Sequence, residues 1–107
     1  MQYFSTRGAG PVTLDEALVS GIATDGGLFL PRQLPEFTTD EFAGSGSIRA
    51  VAERLLAPFF AGSALRVDLQ AILDETFSFP LPVTPLPAAQ GSAGLLELYH
   101  GPTAAFK

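Results

Sequence analysis

One segment near the carboxyl end brings together most of the side chains that can perform chemistry. It runs from Tyr99 to Lys107 (YHGPTAAFK) and contains a phenol, an imidazole, a hydroxyl and an amine. Lys107 follows Ala104, Ala105 and Phe106, and burial among such apolar neighbours would favour a neutral amine, the form that makes Schiff bases. Because most lysines are exposed, the residues alone favour a solvated surface lysine over a reactive one.

Composition narrows the classes of protein that remain. The chain has 107 residues, enough for one small domain, and its hydrophobic fraction of 47% is typical of a globular protein. The net charge of −5, with six basic residues spread thinly, predicts no nucleic-acid partner. The absence of cysteine and the single histidine exclude disulfides, thiolate metal sites and multi-histidine metal sites.

The location is predicted from what the sequence does not contain. No apolar run approaches the roughly 20 residues of a membrane helix, so no membrane partner is predicted. The first residues carry no basic stretch followed by an apolar block, so no secretory signal is visible. A cytoplasmic protein is therefore predicted.

Short strands and amphipathic helices are the elements that would position the reactive segment, which predicts an α+β domain. A capping-box pattern predicts that a helix begins at Thr13 and ends at Gly21, with Leu14, Ala17 and Leu18 on one face. Alternating or compact apolar runs between turn signals predict strands at 2–5, 28–31 and 95–99.

The strongest periodic pattern lies in the middle of the chain. Apolar residues at i, i+3 and i+4 spacing predict two core helices, at 51–60 and 69–77. The proline-rich stretch 80–87 cannot be regular helix and is predicted to be an extended connection. The predicted boundary divides the chain into an amino-terminal domain, 1–82, and a carboxyl-terminal part, 83–107.

Three segments resemble the threonine synthase family, in the family's order and from end to end of the chain. Residues 96–107 (LELYHGPTAAFK) resemble its active-site signature, in which a strand runs into His-Gly-Pro-Thr and then reaches Phe-Lys. Residues 3–8 resemble its aromatic-Ser-Thr-Arg-Gly opening, and 17–31 resemble its helix followed by Asp-Gly-Gly-Leu. Because this signature is specific, the resemblance favours a reactive Lys107 over a solvated surface lysine.

The resemblance implies the chemistry. Lys107 would hold pyridoxal 5'-phosphate as a Schiff base and carry protons while O-phospho-L-homoserine and water become L-threonine and phosphate. His100, Gly101, Pro102 and Thr103 would form the loop that sets the position of the lysine. His100 is predicted to stabilise this loop by hydrogen bonding rather than to act as an acid or base, and Thr103 to cap the helix that carries the lysine.

Two loops have competing interpretations. Arg7 can bind the substrate phosphate in the whole enzyme, and it can equally tie down its own loop or pair with an acid. The sequence Asp25-Gly26-Gly27 is predicted to be a turn rather than a metal or phosphate loop. Its glycines permit positive φ, and no basic or second acidic partner is near in the sequence.

The resemblance also implies a larger protein. Residues 83–107 would be a linker and then the first strand and helix start of an α/β catalytic domain of the second pyridoxal-phosphate fold type. The remainder of that domain, including the phosphate cradle, would be the partner of this chain, and 1–107 alone is expected to be inactive. Two alternatives stay open: another lyase of this fold type, similar to threonine or serine dehydratase, and a non-catalytic interaction module.

Overall fold

The computed structural model describes residues 1–87 and 93–102. The chain forms two compact units, Met1–Thr76 and Phe77–Lys107. Helices and strands are mixed along it, which agrees with the α+β class predicted from the sequence. The domain boundary after residue 82 stays a prediction. None of the helices in the described part of the chain is long and apolar enough to span a membrane.

The first unit opens with a two-stranded sheet around a short helix. Strand β1 (Tyr3–Ser5) pairs antiparallel with β2 (Phe29–Pro31), and helix α1 (Leu14–Ser20) lies between them in the chain. The predicted capping box is present: Thr13 Oγ1 accepts the Glu16 amide, and the Glu16 carboxylate accepts the Thr13 amide. Gly21 ends the helix with a φ of 68°, a conformation that favours glycine.

Two packed helices complete the first unit. Helix α2 (Ile48–Phe60) is capped by Ser47, whose hydroxyl accepts the Ala50 amide, and α3 (Leu69–Thr76) follows a 3₁₀ turn, Ala64–Asp68. Both helices were predicted from their apolar spacing. The two helices pack on each other. Leu73 of α3 is part of the core and is only 1% exposed. Arg49 of α2 forms an ion pair with Asp74 of α3.

The buried core is small. Its apolar members are Tyr3, Ala17, Ala23, Ala52, Leu69 and Leu73. Of the three residues predicted to share one face of α1, Ala17 is buried, Leu14 is half-buried and Leu18 is 56% exposed. The reason is local geometry: α1 is only seven residues long, so a single side chain, Ala17, is buried.

The second unit contains a β-hairpin whose first strand lies in the proline-rich stretch and was not predicted from the sequence. Strand β3 (Val83–Pro85) pairs antiparallel with β4 (Gly94–Leu96), with Thr84 opposite Leu95. The extended course predicted for 80–87 is confirmed at β3, whose pairing with β4 was not predicted. Proline is tolerated because each strand of a two-stranded sheet is an edge strand with one unpaired side. Strand β4 is also shorter than predicted and stops at Leu96.

Candidate functional site

The structure describes four of the six residues that the sequence singles out for the site. Arg7 lies in the first unit, and His100, Gly101 and Pro102 lie in the second. Thr103 and Lys107 lie outside the described residues. Each of the two units contains one carboxylate that gathers several hydrogen bonds near these residues, and the two clusters are described in turn.

The first cluster is centred on Asp25 and is called the Asp25 cluster (Ser5, Arg7, Ala9, Asp25 and Gly27). Asp25 Oδ1 accepts the Ser5 hydroxyl at 2.6 Å and the Gly27 amide at 3.0 Å, and Oδ2 accepts the Ala9 amide at 2.9 Å. These donors hold the pKa of Asp25 below its ordinary value, with Ser5 contributing most. One carboxylate therefore joins the loop after β1 to the turn before β2.

Two glycines make the turn possible for different reasons. Gly26 has a φ of 77°, which favours glycine, as the sequence predicts. At Gly27 the constraint is space, because an added Cβ would lie 2.0 Å from Ser5 Oγ and 3.0 Å from the Arg7 nitrogen. The loop and the turn approach each other so closely that the second glycine leaves no room for a side chain.

Arg7 is tied to the same turn. Its Nη1 donates to the Asp25 carbonyl oxygen at 3.0 Å, while the side chain is otherwise exposed. Arg7 is therefore a basic neighbour of Asp25 in space, although 18 residues of sequence separate the two. Of the five guanidinium donors, this bond uses one, so the fork retains donors for an anion.

The second cluster is centred on Glu97 and is called the Glu97 cluster (Thr84, Glu97, Tyr99 and His100). Glu97 Oε1 accepts the Thr84 hydroxyl at 2.6 Å. Its Oε2 lies 2.6 Å from the Tyr99 hydroxyl and 2.7 Å from His100 Nε2. These groups lower the pKa of Glu97 from 4.5 to about 2, with Thr84 contributing most. The carboxylate in turn raises the pKa of Tyr99.

The turn that follows Glu97 is held by packing as well. The rings of Tyr99 and His100 lie with their centroids 4.5 Å apart. A Cβ on Gly101 would lie 3.2 Å from Cζ of Phe79, so the ring packs directly on the glycine backbone. His100 is thus bonded to the carboxylate three residues before it. Its roles in the loop and in any reaction stay predictions.

Sequence reasoning missed the two residues at the centres of these clusters. Asp25 was assigned only to a turn, and Glu97 only to a strand. Each stands within a segment that resembles the family, and Glu97 also has donor side chains two and three residues further on, Tyr99 and His100. The partners themselves, Ser5 and Thr84, are 20 and 13 residues away and cannot be paired with the carboxylates from spacing alone.

The chemistry of the donors bears on a cofactor and on metals. Lys107 is the chain's one lysine, so it alone can form a Schiff base with an aldehyde cofactor. Within residues 1–87 and 93–102, no group of three or more His, Asp or Glu side chains is placed to hold a metal ion.

The fold is shared with the amino-terminal region of a class of larger proteins. A family model described as "Threonine synthase N terminus" matches residues 2–77. Threonine synthase from Pseudomonas aeruginosa is 42% identical over 112 residues, covering 100% of this chain and 24% of that protein. Threonine synthase-like 2 from Rattus norvegicus is 39% identical, covering 100% of this chain and 23% of that protein.

A solved structure extends the similarity to the fold. Threonine synthase from Brucella melitensis, in a PLP-bound crystal structure, superposes with a TM-score of 0.79 at 36% identity. The match covers 99% of this chain and 24% of that one. The chain belongs to the threonine synthase family, and it spans about a quarter of the length of these relatives.

Proposed function

We propose that this chain is the amino-terminal part of a threonine synthase, and that the whole protein converts O-phospho-L-homoserine and water to L-threonine and phosphate. The observation that carries the proposal is the family match along the chain together with the signature that ends at Lys107. One relative is 42% identical along the whole of this chain, and its name, threonine synthase, states the activity.

Lys107 is the residue proposed to hold pyridoxal 5'-phosphate through its Nζ. The cofactor, when bound, supplies an electron sink for the substrate carbons. The amine itself would take up and return protons beside the substrate once the substrate amine has displaced it. His100, Gly101, Pro102 and Thr103 are proposed to position this amine, and the contacts of His100 with Glu97 and of Gly101 with Phe79 support a rigid turn.

Arg7 is proposed to contribute to binding of the substrate phosphate. Its side chain is exposed and its guanidinium is anchored through one donor, which leaves a charged fork that is oriented in advance. The Asp25 cluster supports this role because it holds the loop that carries Arg7 in one shape.

The remainder of the protein completes the proposal. Residues 83–107 are proposed to be the linker and the first strand and helix start of an α/β catalytic domain of the second pyridoxal-phosphate fold type, after an amino-terminal domain of 1–82. The phosphate cradle would come from the rest of that domain, so we expect the 107-residue chain alone to be inactive. A cytoplasmic location is proposed with it.

The test uses the full-length protein and three variants. Phosphate release from O-phospho-L-homoserine is measured for the wild type, Lys107→Ala, Arg7→Ala and the matched surface control Arg66→Ala. Lys107→Ala should abolish turnover and the absorbance of the lysine-bound cofactor. Arg7→Ala should raise KM by about tenfold through loss of a charged hydrogen bond, and Arg66→Ala should change neither constant.

Three outcomes would contradict the proposal. A full-length protein that deaminates threonine or serine but leaves phosphohomoserine intact would instead be a dehydratase-like lyase. A protein with no cofactor absorbance and no turnover would be an interaction module. A stable cofactor absorbance in the 107-residue chain by itself would overturn the expected inactivity of this part.

A further inference from the structure

Glu97 stands where the second strand of the hairpin ends and the turn before the lysine begins. Its amide donates to the Pro82 carbonyl at 3.0 Å, and its carboxylate accepts the Thr84 hydroxyl, so both its backbone and its side chain are joined to the β3 side of the hairpin. The same carboxylate binds Tyr99 and His100 on the other side. One side chain therefore fastens the turn to the hairpin.

The cluster is built for a fixed geometry. The Glu97 side chain is 15% exposed, and in the described part of the chain no arginine or lysine forms an ion pair with it. Its three hydrogen-bond partners are two hydroxyls and an imidazole, which reach the carboxylate from separate positions. Because Nε2 of His100 is engaged by Glu97, Nδ1 is the ring atom left for any other partner.

We propose that Glu97 is a positioning residue of the reaction: it fixes His100 and the turn from which the chain continues to Lys107. This inference rests on the proposed function, in which Lys107 is the reacting amine. Glu97 acts through the turn and touches neither substrate nor cofactor. A reaction can slow on the order of 10²-fold when the reacting groups are misplaced by about 1 Å. Loss of the Glu97 contacts should therefore lower the reaction rate.

The experiment separates positioning from folding by using the full-length protein with graded variants. Glu97→Ala removes all the contacts of the carboxylate. Glu97→Gln keeps the shape, because its amide oxygen can accept from Tyr99 and His100 while its amide nitrogen donates to Thr84. Glu97→Asp keeps the charge but is shorter by one methylene. Glu75→Ala is the control, since Glu75 is an exposed glutamate on α3.

Two readouts are compared. Hydrogen exchange of the amides at 98–101 is measured in the cofactor-free protein, and kcat and KM are measured with phosphohomoserine. We expect Glu97→Ala to speed exchange about tenfold and to lower kcat about 100-fold with KM within about threefold. Glu97→Gln should restore both readouts to within about fivefold of wild type, and Glu75→Ala should leave them unchanged.

Each alternative result is decisive. If Glu97→Ala keeps wild-type exchange and kcat, the inference is wrong while the proposed function stands. If Glu97→Ala does not fold, the same measurements are made on Glu97→Asp. A folded Glu97→Asp variant with a lower kcat supports the inference, and one with an unchanged kcat overturns it. If the wild type has no phosphohomoserine turnover, the proposed function fails and the inference fails with it.

Discussion

The Asp25 and Glu97 carboxylates each join separate segments of the chain, but they do so through different kinds of hydrogen-bond donor. Each carboxylate gathers three hydrogen bonds from outside its own residue, and each has a lowered pKa. Asp25 is held by two backbone amides and the buried Ser5 hydroxyl. Glu97 is held by side chains alone, including Tyr99, which is 71% exposed.

The two clusters differ in what their contacts fix. Backbone amides cannot rotate away from a carboxylate, so Asp25 sets the path of the chain and requires a glycine where the loop and the turn meet. The side-chain donors of the Glu97 cluster join the hairpin on one side to the turn on the other, so this carboxylate sets how the turn is held. Substitutions should therefore act on the stability of the first unit at the Asp25 cluster, and on the local order of the turn and the pKa of Glu97 at the Glu97 cluster.

The largest effect is expected for Gly27→Ala. The new Cβ would lie 2.0 Å from Ser5 Oγ and 2.9 Å from Thr6 Oγ1, so the loop must move and the bonds to Asp25 must break. Overpacking of this kind costs about 3 kcal/mol, which urea unfolding of the 107-residue chain would measure as a loss of unfolding free energy.

Gly46→Ala is the matched control for this change. An added Cβ on Gly46 meets nothing within 4 Å, and its φ lies outside the left-handed region. Its unfolding free energy should stay within about 0.5 kcal/mol of wild type, as for other unstrained surface changes. A Gly27→Ala variant as stable as the control would show that the close approach is not maintained in solution.

An intermediate effect is expected for Asp25→Asn. The new amide nitrogen would face the Ala9 amide, placing donor against donor, and the melting temperature at pH 7 should fall by about 5 °C. Because folding lowers the pKa of Asp25, its stabilisation is present above the ordinary aspartate range and is lost as pH falls below about 4. Wild type and variant should therefore converge in acid.

Asp40→Asn provides the comparison for acid melting, since Asp40 is exposed in the 3₁₀ turn Thr39–Phe42. Its melting curves should follow wild type throughout the pH range. A gap between wild type and Asp25→Asn that stays constant down to pH ~2 would contradict the assignment of the pH dependence to this carboxylate.

The smallest effect is expected for Thr84→Val, which should leave the fold intact because valine suits a strand. Removing the leading hydrogen bond to Glu97 should raise the pKa of that carboxyl from about 2 toward its ordinary 4.5. Carbon-13 NMR of the Glu97 carboxyl follows the titration, and Thr84→Ser should restore the low value. An unchanged midpoint in Thr84→Val would assign the shift to Tyr99 and His100 instead.

Elements with strong local signals were predictable from the sequence. The cap at Thr13, the positive φ at Gly21 and the two apolar helices depend on residues within a turn or two of one another, and the structure contains all of them. The hairpin was not predictable in this way. Pro85 is a poor strand former, and β3 exists because it pairs with β4 across the chain.

The candidate site divides along the same line. His100 and Arg7 were identified from motif residues, whereas Ser5, Thr84 and the central carboxylates emerge only when distant segments meet. Local pattern carries no information on which hydroxyl will reach which carboxylate. The family resemblance identified the class, and the distances identified the contacts.

The position of α1 between the two halves of the Asp25 cluster has a consequence for folding kinetics. Ser5 and Asp25 are 20 residues apart, and α1 contributes seven of the residues between them. As a helix those residues span about 10 Å, against about 23 Å when extended, so the helix shortens the chain segment to be closed. A seven-residue helix is marginal when isolated, so α1 should become stable together with the pairing of β1 and β2, and its compact form lowers the entropic cost of that pairing.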